Sequence, residues 1–222
     1  ILKNNGNGTF AAAVNYGVGS SDPLSVTSAD FDGDGKPDLA VANGNANTVS
    51  ILKNNGNGTF ASAVNYGVGS YSYSVTSADF DGDGRADLAV TNVLSISVSI
   101  LKNNGNGTFA VVVNYGVGSS PASVTSADFD GDGKADLAVT NFSSISVSIL
   151  KNNGNGTFAA AVNYGMGNNP YSVTSADFDG DGKADLAVTN YYSASVSILK
   201  NNGNGTFAAA VNYGVGSSDP LS

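Results

Sequence analysis

The sequence predicts an all-β fold: a β-propeller of four-stranded antiparallel blades, with four complete blades plus one half blade in this chain. Three observations predict it: a long internal period, four short strand-like runs inside each period, and no helical apolar stripe as long as 10 residues. The string ILKNNGNGTF starts at Ile1, Ile51, Ile100, Ile149 and Ile198, at spacings of 50, 49, 49 and 49 residues. Such a period belongs to propeller blades or solenoid units.

The strands can be read in order from one period. Ser74 to Phe80 (strand A) is a short alternating run with β-branched residues that ends in an Asp/Gly cluster. Asp87 to Thr91 (B) and Ser97 to Leu101 (C) follow as two further short runs, and Phe109 to Tyr115 (D) is the fourth. Between C and D, Asn103-Asn104-Gly105-Asn106-Gly107 supplies the residues that tolerate positive φ in a hairpin turn. Four antiparallel strands per repeat make a propeller blade. The competing β-solenoid has coils of about 20–30 residues, which fits four strands per period less well. Small Ala and Ser residues alternate with Val and Leu on the inner runs, as closely packed blades require.

The chain therefore starts inside a strand C. The expected units are a half blade over 1–24 (strands C and D) and blades over 25–73, 74–122, 123–171 and 172–222. The half blade has no A–B pair in this chain, so a sheet edge is left open, a liability that assembly cures. Three readings stand open: the fifth blade is incomplete, a homo-oligomer completes the half blade with strands from another copy, or the chain is a window cut from a longer array. Because the chain opens in mid-repeat it reads as a mature or excised piece, and the lack of a leader says nothing about localisation.

Composition excludes whole classes of function. There is no His, Cys, Glu or Trp among the 222 residues. Ser-His-Asp and Cys-His nucleophiles, zinc held by imidazole or thiolate, and disulfides are therefore all ruled out. Nine Lys and Arg against 18 Asp leave a formal charge of −9, with no basic patch to displace counterions from a nucleic acid. No apolar run approaches the roughly 20 residues of a membrane-spanning helix, so no membrane insertion is expected.

Sixteen of the 18 acidic residues lie in four copies of D-F-D-G-D-G-x-x-D, each between strands A and B. The copies are Asp30, Asp32, Asp34, Asp38; Asp79, Asp81, Asp83, Asp87; Asp128, Asp130, Asp132, Asp136; and Asp177, Asp179, Asp181, Asp185. Four carboxylates this close repel one another unless a cation sits among them. Side chains at loop positions 1, 3, 5 and 9, with the backbone carbonyl at position 7 (Lys36, Arg85, Lys134, Lys183), make an all-oxygen shell suited to Ca2+, one ion per complete blade and four per chain. Gly35, Gly84, Gly133 and Gly182 take position 6, where the chain must turn sharply. Magnesium, which keeps its waters in stricter geometry, is the second choice. An EF-hand is excluded because position 12 holds Val41, Val90, Val139 and Val188, not Glu, and no helix flanks the loop. Four divalent ions against −9 leave −1, so calcium would replace disulfides as the cross-link. Paired carboxylates can hydrolyse glycosides, but four equivalent quartets read as a repeated structural staple. No unique acid–base pair breaks the repeat symmetry, so the expected protein is not an enzyme.

The run D-F-D-G-D-G-K-x-D-L-A-V followed by S-I-L-x-N-x-G-N-G-T-F resembles the FG-GAP/VCBS repeat family, the calcium-binding blades of integrin-alpha-like propellers. The resemblance covers 30–41 with 50–60, 79–90 with 99–109, 128–139 with 148–158, and 177–188 with 197–207, with Arg85 where the other copies have Lys. It implies calcium in the A–B loop, a secreted or cell-surface location, and a role in adhesion, with some members being lectins. Family members usually have seven blades, more than four and a half repeats supply.

Differences between the repeats gather in the B–C and D–A connections, which emerge together on the face opposite the Asp loops. That variable face carries Tyr71, Tyr73, Phe142, Tyr171, Tyr191 and Tyr192 among Ser and Asn. Such rings suit a glycan or protein ligand. The leading expectation is an adhesion or carbohydrate/protein-binding module, and the alternative is a structural or designed repeat scaffold with no ligand. Phe31, Phe80, Phe129 and Phe178 are expected as core plugs, and Tyr66, Tyr115, Tyr164 and Tyr213 as packing between blades.

Overall fold

A computed structural model describes residues 1–19 and 22–216. Among these there is no helix, and 16 strands form four separate four-stranded sheets. The first blade contains β1 (Pro23–Ala29), β2 (Asp38–Asn43), β3 (Thr48–Leu52) and β4 (Val64–Gly67). The second contains β5 (Ser72–Ala78), β6 (Asp87–Asn92), β7 (Ser97–Leu101) and β8 (Val113–Gly116). The third contains β9 (Pro121–Ala127), β10 (Asp136–Asn141), β11 (Ser146–Leu150) and β12 (Val162–Gly165). The fourth contains β13 (Pro170–Ala176), β14 (Asp185–Asn190), β15 (Ser195–Leu199) and β16 (Val211–Gly214).

Within every sheet the strands pair antiparallel in chain order. Each first strand begins two residues earlier than the boundaries expected at 25, 74, 123 and 172, because a register shift at its start adds one more pair to the second strand. The first strands of successive blades lie side by side around the axis. Val75 N donates to Ser25 Oγ (3.2 Å) and Val173 N to Ser123 Oγ (3.4 Å), each one across a blade boundary.

Period-two alternation explains the core. In β6, Leu88 and Val90 face the preceding blade and Ala89 the following one, and all three are fully buried. Three junctions follow one recipe. At the first, Phe31, Ala40, Ala42, Val49 and Ile51 of one blade meet Val75, Leu88, Val90, Leu101 and Phe109 of the next. The other two junctions repeat it.

Strand D is shorter than the sequence implies. Phe109 forms only an isolated bridge with Asn103, and ladder pairing resumes at Val113. This strand is outermost, with no neighbour beyond it, and Val111 between the two paired stretches is 90% exposed. The N-terminal half blade departs further. It keeps the Asn4–Phe10 bridge and the mutual bonds of Ile1 and Val14 (2.7 and 2.9 Å), but none of residues 1–19 is in a regular strand. Without an A–B pair beside it, the hairpin has nothing to extend the ladder. It still packs outward of the first blade, where the Tyr16 and Phe60 rings meet edge to face at 5.6 Å.

The last blade shows the same end effect. Phe31, Phe80 and Phe129 are fully buried as expected, whereas Phe178 is 48% exposed. Phe31 packs on Phe109, Phe80 on Phe158 and Phe129 on Phe207, each from the next blade. Phe178 has no described blade after it. Tyr66, Tyr115 and Tyr164 pack on those same Phe rings, as expected, while Tyr213 stays exposed for the same reason.

Candidate metal loops and ligand face

Each Asp loop is shaped by its first carboxylate. Asp30 Oδ1 accepts from Gly33 N (2.8 Å) and Asp34 N (3.1 Å), and Oδ2 from Gly35 N (2.7 Å). The same three bonds recur around Asp79, Asp128 and Asp177. In the fourth loop these amides hold Asp177 below the usual carboxylate range, Gly182 N most strongly. The last Asp of the loop opens the second strand and is buried. Asp87 Oδ2 accepts from Phe80 N (3.0 Å) and Oδ1 from Asn103 N (2.7 Å), tying the A–B loop to the C–D turn. Burial pushes Asp87 and Asp136 up to about 6 and raises Asp38, against the pull of these amides.

Positions 1, 3 and 9 converge in every blade. Asp30, Asp32 and Asp38 each place a carboxylate oxygen within 4.8 Å of the others, as do Asp79/Asp81/Asp87, Asp128/Asp130/Asp136 and Asp177/Asp179/Asp185. Each cluster can hold a metal ion. Position 5 does not join them. Asp34, Asp83, Asp132 and Asp181 pair with the Lys36, Arg85, Lys134 and Lys183 side chains at 2.6, 3.1, 2.7 and 3.0 Å. The hydrogen bond from the adjacent lysine lowers the pKa of Asp34, Asp132 and Asp181.

A second cation per loop escaped the sequence reading. Lys53, Lys102 and Lys151 pair with Asp32, Asp81 and Asp130 at 3.4, 2.8 and 2.7 Å, and Lys200 pairs with Asp179. The signal was present, since this lysine follows Ile-Leu in every repeat, but it lies 21 residues beyond its partner in the chain. Four carboxylates and two cations leave each loop at −2. That residual charge and an oxygen-only donor set fit one hard divalent cation, and nothing in the loops offers nitrogen or sulfur to a softer metal.

The loops also lock one blade to the next. Phe31 O accepts from Gly107 N (3.0 Å) and Asn103 Nδ2 (3.1 Å) of the following blade, and Lys53 Nζ donates to Asn106 O (2.8 Å). Gly107 takes a left-handed φ of 75°, which strains any side chain, and it lies against Lys53 and Asp32. The Asp loops and the NNGNG turns therefore share one face, as expected.

On the opposite face, five of the six expected aromatic residues form one chain of ring contacts. Tyr73 meets Tyr171 (6.3 Å between centroids), Tyr171 meets Phe142 (6.3 Å), Phe142 meets Tyr192 (6.4 Å), and Tyr192 meets Tyr191 (4.8 Å). Tyr71 does not join it; it takes a left-handed φ of 58° and lies against Gly44 of the preceding blade. Leu24, Tyr73, Ala122 and Tyr171 occupy equivalent positions in the four first strands. Because Ala122 is small, Tyr73 and Tyr171 reach across the third blade and their hydroxyls hydrogen-bond. Burial, then this bond, raises the Tyr73 pKa well above the phenol range, so it stays protonated. Thr140 Oγ1 donates to Tyr171 O (3.0 Å), and Ser72 Oγ donates to Asn43 O (2.8 Å), fixing the backbone beneath both tyrosines. The cavity they close is about 350 Å³, lined also by Val93, Ser120, Phe142 and Ser143, with no charged side chain.

Models of the FG-GAP-like repeat match residues 1–41, 30–90, 93–139 and 128–188, and models of the FG-GAP repeat match 71–112 and 169–209. No curated protein sequence matches the chain. Among solved structures, an Agrocybe aegerita lectin recognising non-reducing terminal N-acetylglucosamine is 24% identical, with a TM-score of 0.65 over 95% of this chain and 59% of its own. Virginiamycin B lyase from Staphylococcus aureus is 13% identical, with a TM-score of 0.62 over 88% of this chain and 56% of its own. An auxiliary nutrient-binding protein from Bacteroides ovatus is 13% identical, with a TM-score of 0.57 over 89% of this chain and 48% of its own. The likeness is one of fold, and the chain spans about half to three-fifths of the length of each.

Proposed function

This chain belongs to the FG-GAP repeat family, and from that premise we propose that it is a non-enzymatic, calcium-stabilised propeller module that binds carbohydrate on its variable face. The observation that carries the reading is the Tyr73–Tyr171–Phe142 cavity above Ala122. It is lined by three aromatic side chains together with Val93 and Ala122, and Ser120, Ser143 and the two tyrosines are its hydroxyl-bearing residues. A neutral sugar ring offers the complement, with apolar C–H faces to stack on rings and hydroxyls to exchange hydrogen bonds. An ionic ligand would find no counter-charge there. The Agrocybe aegerita lectin, which this chain resembles in fold, recognises non-reducing terminal N-acetylglucosamine, and that likeness supports the reading.

Calcium is the ion the four loops suit best, one per blade, held by the Asp30/Asp32/Asp38 set and its three equivalents. Its chemistry here is structural, since it would neutralise the −2 left on each loop and fasten loop to strand. A secreted or cell-surface location, where free calcium is abundant, and a role in adhesion accord with such sites. The test is a glycan array in calcium buffer with the native chain and Ala122→Tyr. That substitution places a third tyrosine where two blades already carry one and fills the cavity. Binding to neutral glycans by the native chain and a loss of at least about tenfold in the variant support the reading. A folded native chain that binds nothing overturns it, and so does a variant that binds equally well.

A further inference from the structure

The last Asp of the second and third loops is gripped from two sides, and one grip comes from a turn that also holds the preceding blade. In the second blade Phe80 N donates to Asp87 Oδ2 (3.0 Å) and Asn103 N to Asp87 Oδ1 (2.7 Å). The Asn103 side chain then reaches in two directions. Its Nδ2 donates to Ala86 O (3.0 Å), at position 8 of the same loop, and to Phe31 O (3.1 Å), at position 2 of the loop before it. Asn152 repeats this in the third blade, with Asp136 Oδ1 (2.7 Å), Ala135 O (2.9 Å) and Phe80 O (3.0 Å). Asn103 and Asn152 are only 4% and 5% exposed. A side-chain amide has two hydrogens to donate, and each asparagine divides them between two different loops.

These bonds join end to end through the interior. Asp38 Oδ2 accepts from Phe31 N (3.0 Å), and Phe31 O accepts from Asn103, whose backbone N binds Asp87. Asp87 accepts in turn from Phe80 N, Phe80 O accepts from Asn152, and Asn152 N binds Asp136. Phe129 N continues the chain from Asp136 Oδ2 (2.9 Å), and Phe129 O meets the fourth blade through Gly205 N (3.0 Å). Asp38, Asp87 and Asp136 each belong to the carboxylate set that converges in their loop, and each Phe lies between the other two members in sequence. A buried line of hydrogen bonds therefore runs from one Asp loop to the next.

We propose that the calcium sites of successive blades are coupled along this line, with Asn103 and Asn152 as the positioning residues, so that the sites fill cooperatively. The proposal rests on the reading of the loops as calcium sites. An ion in the second loop fixes Asp87, and with it the Asn103 amide that binds Asp87. The side chain of Asn103 then steadies Phe31, and so the backbone that carries Asp30 and Asp32. The first loop has less conformational freedom left to lose, which raises its affinity, and by linkage an ion there favours the second loop equally. Charge acts the other way, because a filled loop no longer carries the −2 that attracts further ions. That pull is screened beyond about 8 Å at physiological salt, whereas the buried bonds are not.

Equilibrium dialysis of the full chain against radioactive calcium, at physiological salt, tests this. The native chain is expected to bind four ions, one per carboxylate set, with a Hill coefficient of about 2. Asn103→Ala keeps every loop carboxylate and is expected to bind four ions with a lower coefficient, and adding Asn152→Ala to bring it close to about 1. An asparagine with a merely structural role would change affinity and leave the coefficient where it was. Near-ultraviolet circular dichroism checks that the variants are folded. Asp81→Asn gives a second route, because it disables the second loop without touching either asparagine. It is expected to bind three ions, on average several-fold more weakly than the native chain. Uncoupled sites would keep the native affinity or gain slightly, since the altered loop stays at −1 where a filled one is neutral. A native chain that takes up no calcium overturns the calcium reading and the coupling with it. Four ions bound with a coefficient of 1 overturn the coupling alone. So does a native coefficient in the double asparagine variant, or native affinity for the three ions of Asp81→Asn.

Discussion

The Asp-loop face and the variable face are built on the same sixteen strands, yet one repeats almost without change and the other does not. On the first, the bond from the loop's second glycine to its leading Asp is 2.7–2.8 Å in all four blades. On the second, Leu24, Tyr73, Ala122 and Tyr171 occupy one structural position. The difference lies in what each face must satisfy. Four carboxylates, two cations and a set of inward amides have few arrangements that leave no charge or donor unpaired, so each substitution there carries a large penalty. The variable face needs only a turn whose backbone bonds are self-contained. Val68, Val117, Met166 and Val215 each donate to a carbonyl in the preceding B–C turn whatever side chains surround them. Chemistry on that face is free to differ because the scaffold does not depend on it.

Chelation is the strongest way to break this contrast. Four ions each bound well above their dissociation constant stabilise by roughly 3–4 kcal/mol apiece, so chelator is expected to lower the melting temperature by more than about 20 °C, read by differential scanning calorimetry. An unchanged melting temperature removes the staple. Within one loop, Asp136→Ala strips the acceptor from the buried Phe129 and Asn152 amides and is expected to cost about 2–4 kcal/mol by denaturant titration, whereas Asp132→Ala, an exposed ion pair, costs under about 1 kcal/mol.

The pH dependence sharpens the same comparison. Asp87 and Asp136 are raised from 3.8 to about 6, so the fold favours their protonated form. Their contribution is fully present below pH 3.8 and is lost as pH rises through about 6. Asp34, Asp132 and Asp181 are lowered, so their contribution is lost only as pH falls below the ordinary carboxylate range. Between pH 5 and 7, thermal melts in chelator are therefore expected to show stability falling with pH. With calcium, which binds the ionised form, it is expected to rise. A small effect of the opposite sign belongs to the variable face. Ile96 and Ile145 are β-branched residues held at φ 52°, where the first blade has Asn47. Ile96→Asn is expected to stabilise by about 1 kcal/mol in the same titrations, with no change in metal dependence.

Much of this was legible in the sequence because the period did the work. Strands B and C, the Asp loops, the shared face with the NNGNG turns and the plugs Phe31, Phe80 and Phe129 follow from local pattern copied four times. Phe178 carries the same pattern and is half exposed, because burial depends on a neighbour and not on the residue. Lys53 and its equivalents were missed for a related reason, since their partners lie across the sheet. Tyr71 was grouped with the other rings by composition, and its left-handed backbone sends it elsewhere.

By itself, then, the sequence determined the blade and the Asp-rich loop, since each rests on residues within one period. Only the tertiary structure decided which carboxylates converge, which tyrosines meet over Ala122 and which apolar faces remain uncovered. The carboxylates are near neighbours sorted by which of them a lysine or arginine takes, while the tyrosines and the faces join residues tens to a hundred positions apart, and a repeating sequence, being the same in every blade, does not say which copy stands beside which.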